Sequence, residues 1–169
     1  GLARIYKEGK VGYVNYQGTI ELEAIYDETY RFDTIWRNNS GISKVKKDGK
    51  YGYLNHNGKE ILSPTYDEIA SNFILVGNDS AGVSRVQKKG KYGFVNYEGK
   101  EIVPLQYDFT GKANNGVIPI KFEGKWGVVD TLNNKIVSFE YDGARFLDGS
   151  NYQLIELLKK ETAFFEVDA

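Results

Sequence analysis

Cysteine and methionine are absent from these 169 residues, histidine occurs once and proline three times. Without cysteine there is no thiol nucleophile, no disulfide and no thiolate metal site. The same absence fits the cytoplasm and equally an exported protein held together without disulfides, so the compartment stays open. A centre built on histidine would have only His56 to draw on, and one imidazole lacks the partners that metal binding or catalysis requires. No run of about 18 apolar residues occurs, so no membrane-spanning helix is expected in this chain. Neither sign of charge dominates, with 22 Lys and Arg against 23 Asp and Glu; a nucleic-acid binder would ordinarily be strongly basic. There is no Walker-type loop, dinucleotide fingerprint or nucleophile elbow. No helical periodicity runs long enough to place a helix, and 152–160 is ambiguous between helix and strand. The first residue is Gly1, so the chain reads as a piece of something longer.

What the chain does have is glycine and tyrosine, 19 and 13 residues, with aromatics at 14%. That composition suits short strands joined by tight turns. The glycines are not scattered. Gly9-Lys10-Val11-Gly12-Tyr13-Val14-Asn15 returns as Gly49-Lys50-Tyr51-Gly52-Tyr53-Leu54-Asn55, then as Gly90-Lys91-Tyr92-Gly93-Phe94-Val95-Asn96, then as Gly124-Lys125-Trp126-Gly127-Val128-Val129-Asp130. Self-similarity at this period signals a repeat architecture. By length the chain is one domain, with repeats at about 1–40, 41–81, 82–115 and 116–150. A degenerate hairpin at 151–169, with strands at 152–158 and 163–167, is expected to cap the last repeat, because terminal repeats depart from consensus.

Each repeat predicts three strands. The first covers 2–7, 42–47, 83–88 and 117–122. The pairs Glu8-Gly9, Asp48-Gly49, Lys89-Gly90 and Glu123-Gly124 then form two-residue hairpin turns, since glycine accepts positive φ. The second strand carries the motif, is apolar on both faces, and is expected to be buried on both sides. Its inner glycine either leaves space for a neighbouring aromatic or backbone, or marks a bulge. Asn-x-x-Gly then predicts a type I turn; the fourth copy has Asn133 where Gly stood, and Asn tolerates the left-handed region. The third strand covers 19–24, 59–63, 100–105 and 135–139 and ends at Tyr26-Asp27, Tyr66-Asp67, Tyr107-Asp108 and Tyr141-Asp142. From the inner glycine to this tyrosine the spacing is 14 residues in every copy, so the meander is rigid in length. The connectors after it vary.

These residues resemble the bacterial WG-repeat family, also called KWG repeats. The likeness rests on Gly-Lys-aromatic-Gly, the aliphatic residues and Asn or Asp after it, the glycine of the next turn, and Tyr-Asp. Lys125-Trp126-Gly127 has the name-giving form, while Val11, Tyr51 and Tyr92 replace the tryptophan elsewhere. The resemblance implies a β-repeat scaffold with a binding role and supplies no catalytic residues. A looser likeness to aromatic-rich cell-wall-binding hairpins, of shorter period, shares Gly-Lys-aromatic and Asn-x-x-Gly elements.

The fold expected is all-β: tandem three-stranded antiparallel meanders in an elongated twisted solenoid, with a β-propeller-like closure as the alternative. The recurring Asp residues are expected to accept backbone N–H bonds at turns, and each preceding Tyr to anchor the core by its ring while its hydroxyl reaches a partner. Lys10, Lys50, Lys91 and Lys125 form either a basic row or salt bridges to the repeated acids. Arg4, Lys44 and Arg85 share one repeat position, with Pro119 in the fourth copy, and form a second candidate basic row. Tyr16, Trp36 and Tyr97 are the aromatics least explained by a repeat core. Together Tyr16, Trp36, Tyr97, Arg4, Lys44 and Arg85 are the candidate partner surface. The function expected is a non-enzymatic module that binds another protein through the connectors 28–40 and 68–81, with recognition of a glycan through aromatic turns as the alternative. No catalytic residue, cofactor, metal or nucleic acid enters either reading.

Overall fold

A computed structural model describes residues 2–30, 41–70, 73–75, 82–113, 116–147 and 154–159. The first meander is β1 (Leu2–Lys7), β2 (Lys10–Asn15) and β3 (Ile20–Tyr26); after β3 comes a two-residue strand, β4 (Glu28–Thr29). The second meander is β5 (Ile42–Lys47), β6 (Lys50–Asn55) and β7 (Glu60–Tyr66), followed by the short β8 (Glu68–Ile69) and β9 (Ile74–Leu75). The third is β10 (Gly82–Lys88), β11 (Lys91–Asn96) and β12 (Glu101–Tyr107), followed by β13 (Phe109–Thr110). The fourth is β14 (Val117–Phe122), β15 (Lys125–Asp130) and β16 (Lys135–Tyr141), and a last hairpin pairs β17 (Gly143–Leu147) with β18 (Leu154–Leu158). All described strand pairs are antiparallel, and within the ambiguous segment near the C-terminus Leu154–Leu158 is strand.

Turn chemistry sets the meanders as the sequence requires. Glu8, Asp48, Lys89 and Glu123 have φ near +50°, each followed by a glycine near +76°. Two successive positive φ values make a type I′ turn, whose twist matches the strands it joins. At the second turn Asn15 Oδ1 accepts the amides of Gln17 and Thr19 at 2.9 and 3.0 Å, and Asn55 and Asn96 repeat the pattern. Asp130 does the same for Leu132 and Asn134, and Asn133 takes φ 66° in place of glycine.

Both readings of the inner glycine hold. The register of β2 on β3 shifts across Gly12, between Val11 and Tyr13, and again between Tyr13 and Val14, and a Cβ at Gly12 would lie 2.4 Å from the Leu22 carbonyl oxygen. Gly52 and Gly93 stand in the same relation to Leu62 and Val103. The third strand therefore crosses directly over the glycine, and the bulge carries it there. This crossing lets the third strand run on beyond the expected end, to the tyrosine.

The short strands after each Tyr-Asp do not extend their own sheet. β4 pairs with β5, β8 with β10 and β13 with β14, each time across the edge of the following meander. The chain thus changes sheets at every Tyr-Asp. Sheets run in order β1-β2-β3, β4-β5-β6-β7, β12-β11-β10-β8 and β13-β14-β15-β16. Their principal contacts join successive repeats in an open series, with no closed barrel.

Alternation builds the core between sheets. Tyr53 and Ile42 on one face of the second sheet pack with Val86 and Val95 of the third; Phe94 and Val83 of the third pack with Ile118, Ile120 and Val129 of the fourth. Tyr13 meets Val45 and Leu54 in the same way. β6, β11 and β15 are buried on both faces, as expected, whereas in β2 Tyr13 is buried and Val14 only half-buried.

Candidate functional site

The residues that recur meet at the joints between repeats. Tyr26 is the first anchor: it is 1% exposed, it packs on Val45 and Leu54 of the next sheet, and its hydroxyl donates to Glu60 Oε1 at 2.6 Å. Burial, and then the carboxylate beside it, push that phenol well above its usual pKa. Tyr107 repeats the insertion into the fourth sheet, donating to Asn133 Oδ1 at 2.6 Å. Tyr66 packs into the cluster shared by the second and third sheets.

Each following aspartate closes the joint. Asp27 pairs with Lys10 of its own meander through one oxygen and accepts the Gly49 amide of the next turn through the other. Asp67 does this with Lys50 and the Lys89 amide, and Asp108 with Lys91 at 2.7 Å and the Gly124 amide at 2.9 Å. Asp142 pairs with Lys125 at 2.7 Å. Hydrogen bonding from the lysine, and then from the turn amide, holds Asp67 and Asp108 below the usual carboxylate range, and Asp27 is lowered chiefly by Lys10. The four motif lysines are therefore ion-paired rather than a free basic row. The turn that Asp caps belongs to the next repeat, a link invisible without the fold. The sequence signal for the ion pair was a lysine standing 17 residues before every such aspartate.

The second basic position behaves differently. Lys44 is half-buried; it donates to the Ile69 carbonyl at 3.0 Å and lies 4.1 Å from the Tyr51 ring centroid, with Tyr30 at 5.4 Å. Burial lowers its pKa. Arg85 sits 5.6 Å from the Tyr92 ring, beside a shallow pocket whose lining includes Glu68 and Ala70. Phe109 packs edge-on between Tyr92 and Trp126, at 5.4 and 5.9 Å. Arg4 is exposed, its guanidinium raised further by hydrogen bonding with Tyr13 and then Tyr6. In the second and third repeats the position thus forms a cation–aromatic rim.

The two turn tyrosines part company. Tyr16 is 84% exposed, whereas Tyr97 is half-buried against the cluster containing Ile61 and Leu62 of the preceding repeat. His56 is exposed. Trp36 lies outside the described residues, as do most of the connectors 28–40 and 68–81. The expected capping strand at 163–167 also lies outside them, and β18 pairs with β17. The amide of Asp142 donates to the Leu158 carbonyl at 2.7 Å, just as the amides of Asp27, Asp67 and Asp108 donate to Lys46, Gln87 and Lys121. β18 therefore stands where the first strand of a fifth repeat would stand.

Four stretches of the chain, residues 12–51, 51–92, 92–126 and 126–152, match the family model described as the WG containing repeat. The first three windows each run from one motif to the next, and the fourth runs from the last motif past Tyr141-Asp142. No curated protein matches the chain.

Proposed function

The chain belongs to the WG-repeat family, and from that premise we propose that it is a non-enzymatic module that binds another protein. The observation that carries this reading is how the recurring side chains are spent. The rings of Tyr26, Tyr66 and Tyr107 are packed between sheets, each Asp is taken up by a lysine, and the inner glycines sit under backbone, with the Phe139 ring also over Gly127. A carboxylate held separately at each joint supports no shared acid–base chemistry, which needs two such groups close together. What differs between repeats is the connectors, and variable loops on a constant scaffold are where recognition resides. The cation–aromatic rim of Lys44 with Tyr51 and Arg85 with Tyr92 lies beside the described first residues of these connectors, Tyr30 and Glu68 to Ala70, and adds planar contact area of the kind that forms hot spots. A glycan reading through paired turn aromatics is weakened by Tyr97, whose ring is engaged in a joint.

The test is capture from a cell extract with the chain as bait, in parallel with protease-treated extract. A defined protein that protease abolishes, and that is lost on exchange of the connectors or Trp36→Ala but kept by Tyr16→Ala, supports the proposal. Carbohydrate retained after protease, lost with Tyr16→Ala, overturns it in favour of the glycan.

A further inference from the structure

One cross-strand row recurs in three repeats with different chemistry. In the second repeat it is Glu28, Lys46 and Tyr51, in the third Glu68, Gln87 and Tyr92, and in the fourth Phe109, Lys121 and Trp126. Directly opposed residues share a face, so each row gathers its three side chains. The second repeat neutralises its own cation. Lys46 donates to Glu28 Oε1 at 3.2 Å, the Tyr30 hydroxyl donates to Oε2 at 2.7 Å, and Lys46 lies 5.6 Å from the Tyr51 ring. The fourth repeat has no such acid in its row. Phe109 stands in the place of Glu28 and is 43% exposed, and Gly111 stands in the place of Tyr30. Asp108, which senses the charge of Lys121, is itself taken up by Lys91 and the Gly124 amide. Arg85, over the Tyr92 ring, lines a shallow pocket with Glu68 but does not pair with it. Neither Lys121 nor Arg85 forms an ion pair among the described residues.

Three rings stand beside these two cations, as a ridge rather than a platform. Phe109 meets Tyr92 at 5.4 Å and Trp126 at 5.9 Å, with interplanar angles of 66° and 75°. Successive rings set edge to face offer no shared flat surface on which a sugar or a base would stack. They suit contact with a single inserted side chain instead. Arg85 supplies a planar fork matched to a carboxylate, and Lys121 a point charge. We propose that the face made by Arg85, Tyr92, Phe109, Lys121 and Trp126 binds a short acidic segment of a partner protein that carries one ring side chain. Its carboxylates pair with Arg85 and Lys121, and its ring lies against Phe109. The second repeat displays half of this contact within the chain, a carboxylate held by a lysine beside a motif ring. The inference rests on the protein-binding reading above and gives the partner's chemistry. Its surface lies where the third and fourth repeats meet, outside the connectors 28–40 and 68–81.

The chain has two tryptophans, so Trp36→Phe leaves Trp126 as the sole reporter. The experiment titrates that protein with the peptide acetyl-Glu-Glu-Phe-Glu-Glu-amide and follows Trp126 emission. Expected is a saturable change with a dissociation constant of about 1 mM or tighter, weakened by added salt. Replacing the peptide's Phe by Ala, or its Glu residues by Gln, should cost about tenfold or more in affinity. Two variants of the protein borrow their residue from another repeat, so the fold accepts them: Phe109→Glu restores the acid of Glu28 and Glu68, and Lys121→Gln copies Gln87. Each should lower affinity by about tenfold or more, with thermal unfolding unmoved. The proposal is overturned by the absence of a saturable change at millimolar peptide, by affinity that survives the Ala replacement, or by affinity unchanged in either variant. Polygalacturonate that binds as tightly as the peptide also overturns it and makes the face a site for an anionic glycan. None of these outcomes touches the capture experiment or its connector exchange, so the protein-binding reading stands or falls separately.

Discussion

At the scale of single residues, glycine does two different jobs in turns that look alike. Gly58 and Gly99 occupy the same place in successive repeats, with φ of +79° and +78°. An alanine Cβ at Gly58 would meet Leu22 Cβ at 3.6 Å, an ordinary contact, whereas at Gly99 it would lie 1.8 Å from the Ile61 carbonyl oxygen of the neighbouring repeat. Left-handed strain is common to both, at about 1 kcal/mol; only Gly99→Ala also forces a joint apart, and backbone cannot step aside. Urea unfolding should show Gly99→Ala costing at least about 2 kcal/mol more than Gly58→Ala; equal costs would mean that the turn does not seat on the preceding strand. Thr110 offers a change of opposite sign. It is fully buried, its Oγ1 has no hydrogen-bond partner among the described residues, and the equivalent position in the second repeat is Ile69. Thr110→Val keeps the shape and removes an unsatisfied hydroxyl, so it should raise stability by up to about 1 kcal/mol. A loss of stability on thermal unfolding would show that the hydroxyl is in use.

The element of this fold is the joint, and its electrostatics give it an acid limit. The Asp27, Asp67 and Asp108 carboxylates are held below their ordinary range by lysine and turn amides. A depressed folded-state pKa means stability that is present above the unfolded value and is lost as pH falls through the folded one. All three joints should therefore weaken together below about pH 4, the unperturbed aspartate value, while the amide-capped turns remain. Lys10 is raised by its bond to Asp27, so its share of the same pair is lost only at the alkaline end. The pairs are partly exposed, and each contributes little alone. The acid limb of stability against pH should flatten in the triple variant Asp27→Asn, Asp67→Asn, Asp108→Asn; an unchanged limb would put the acid sensitivity elsewhere. The sequence disclosed the parts of this element better than their connection. The turns, the bounds of the first strand of each meander and the anchoring Tyr followed from glycine, asparagine and alternation, because those constraints act within a few residues, whereas the third strand runs two or three residues beyond its expected end. β4, β8 and β13 did not, because two-residue strands carry no periodicity, and their pairing is decided by a sheet edge belonging to the next repeat. Of the candidate partner surface, the pattern identified Lys44 and Arg85 as equivalent but could not place them on Tyr51 and Tyr92. Nor could it tell Tyr16 from Tyr97, since their difference is only whether a repeat lies beneath them.

For the whole molecule, stability in a stack is a sum of repeat terms and neighbour terms, and here the neighbour terms dominate. Removing apolar surface from water contributes about 1.5–3 kcal/mol per fully buried aliphatic or aromatic side chain. In the second to fourth repeats both faces of the central strand collect that contribution, and in the first repeat only the Tyr13 face does. Among the described residues the first sheet also lacks the short strand that covers the edge of each of the other three. Opening should accordingly begin at the first meander, as a local event with a smaller free energy than global unfolding. Native-state hydrogen exchange should find the amides of Val11 and Tyr13 less protected than those of Tyr92 and Phe94 by tenfold or more, a difference of about 1.4 kcal/mol. Val14→Ala should then deepen only the first meander's opening, whereas Val95→Ala, which removes packing between the second and third sheets, should lower protection in both. Uniform protection across the meanders would mean that the lesser burial of Val14 costs the molecule nothing and that the stack unfolds as one unit. A gradient would make the first meander the least stable part of this chain and would show that contact with a neighbouring sheet on both faces of the central strand sets local stability.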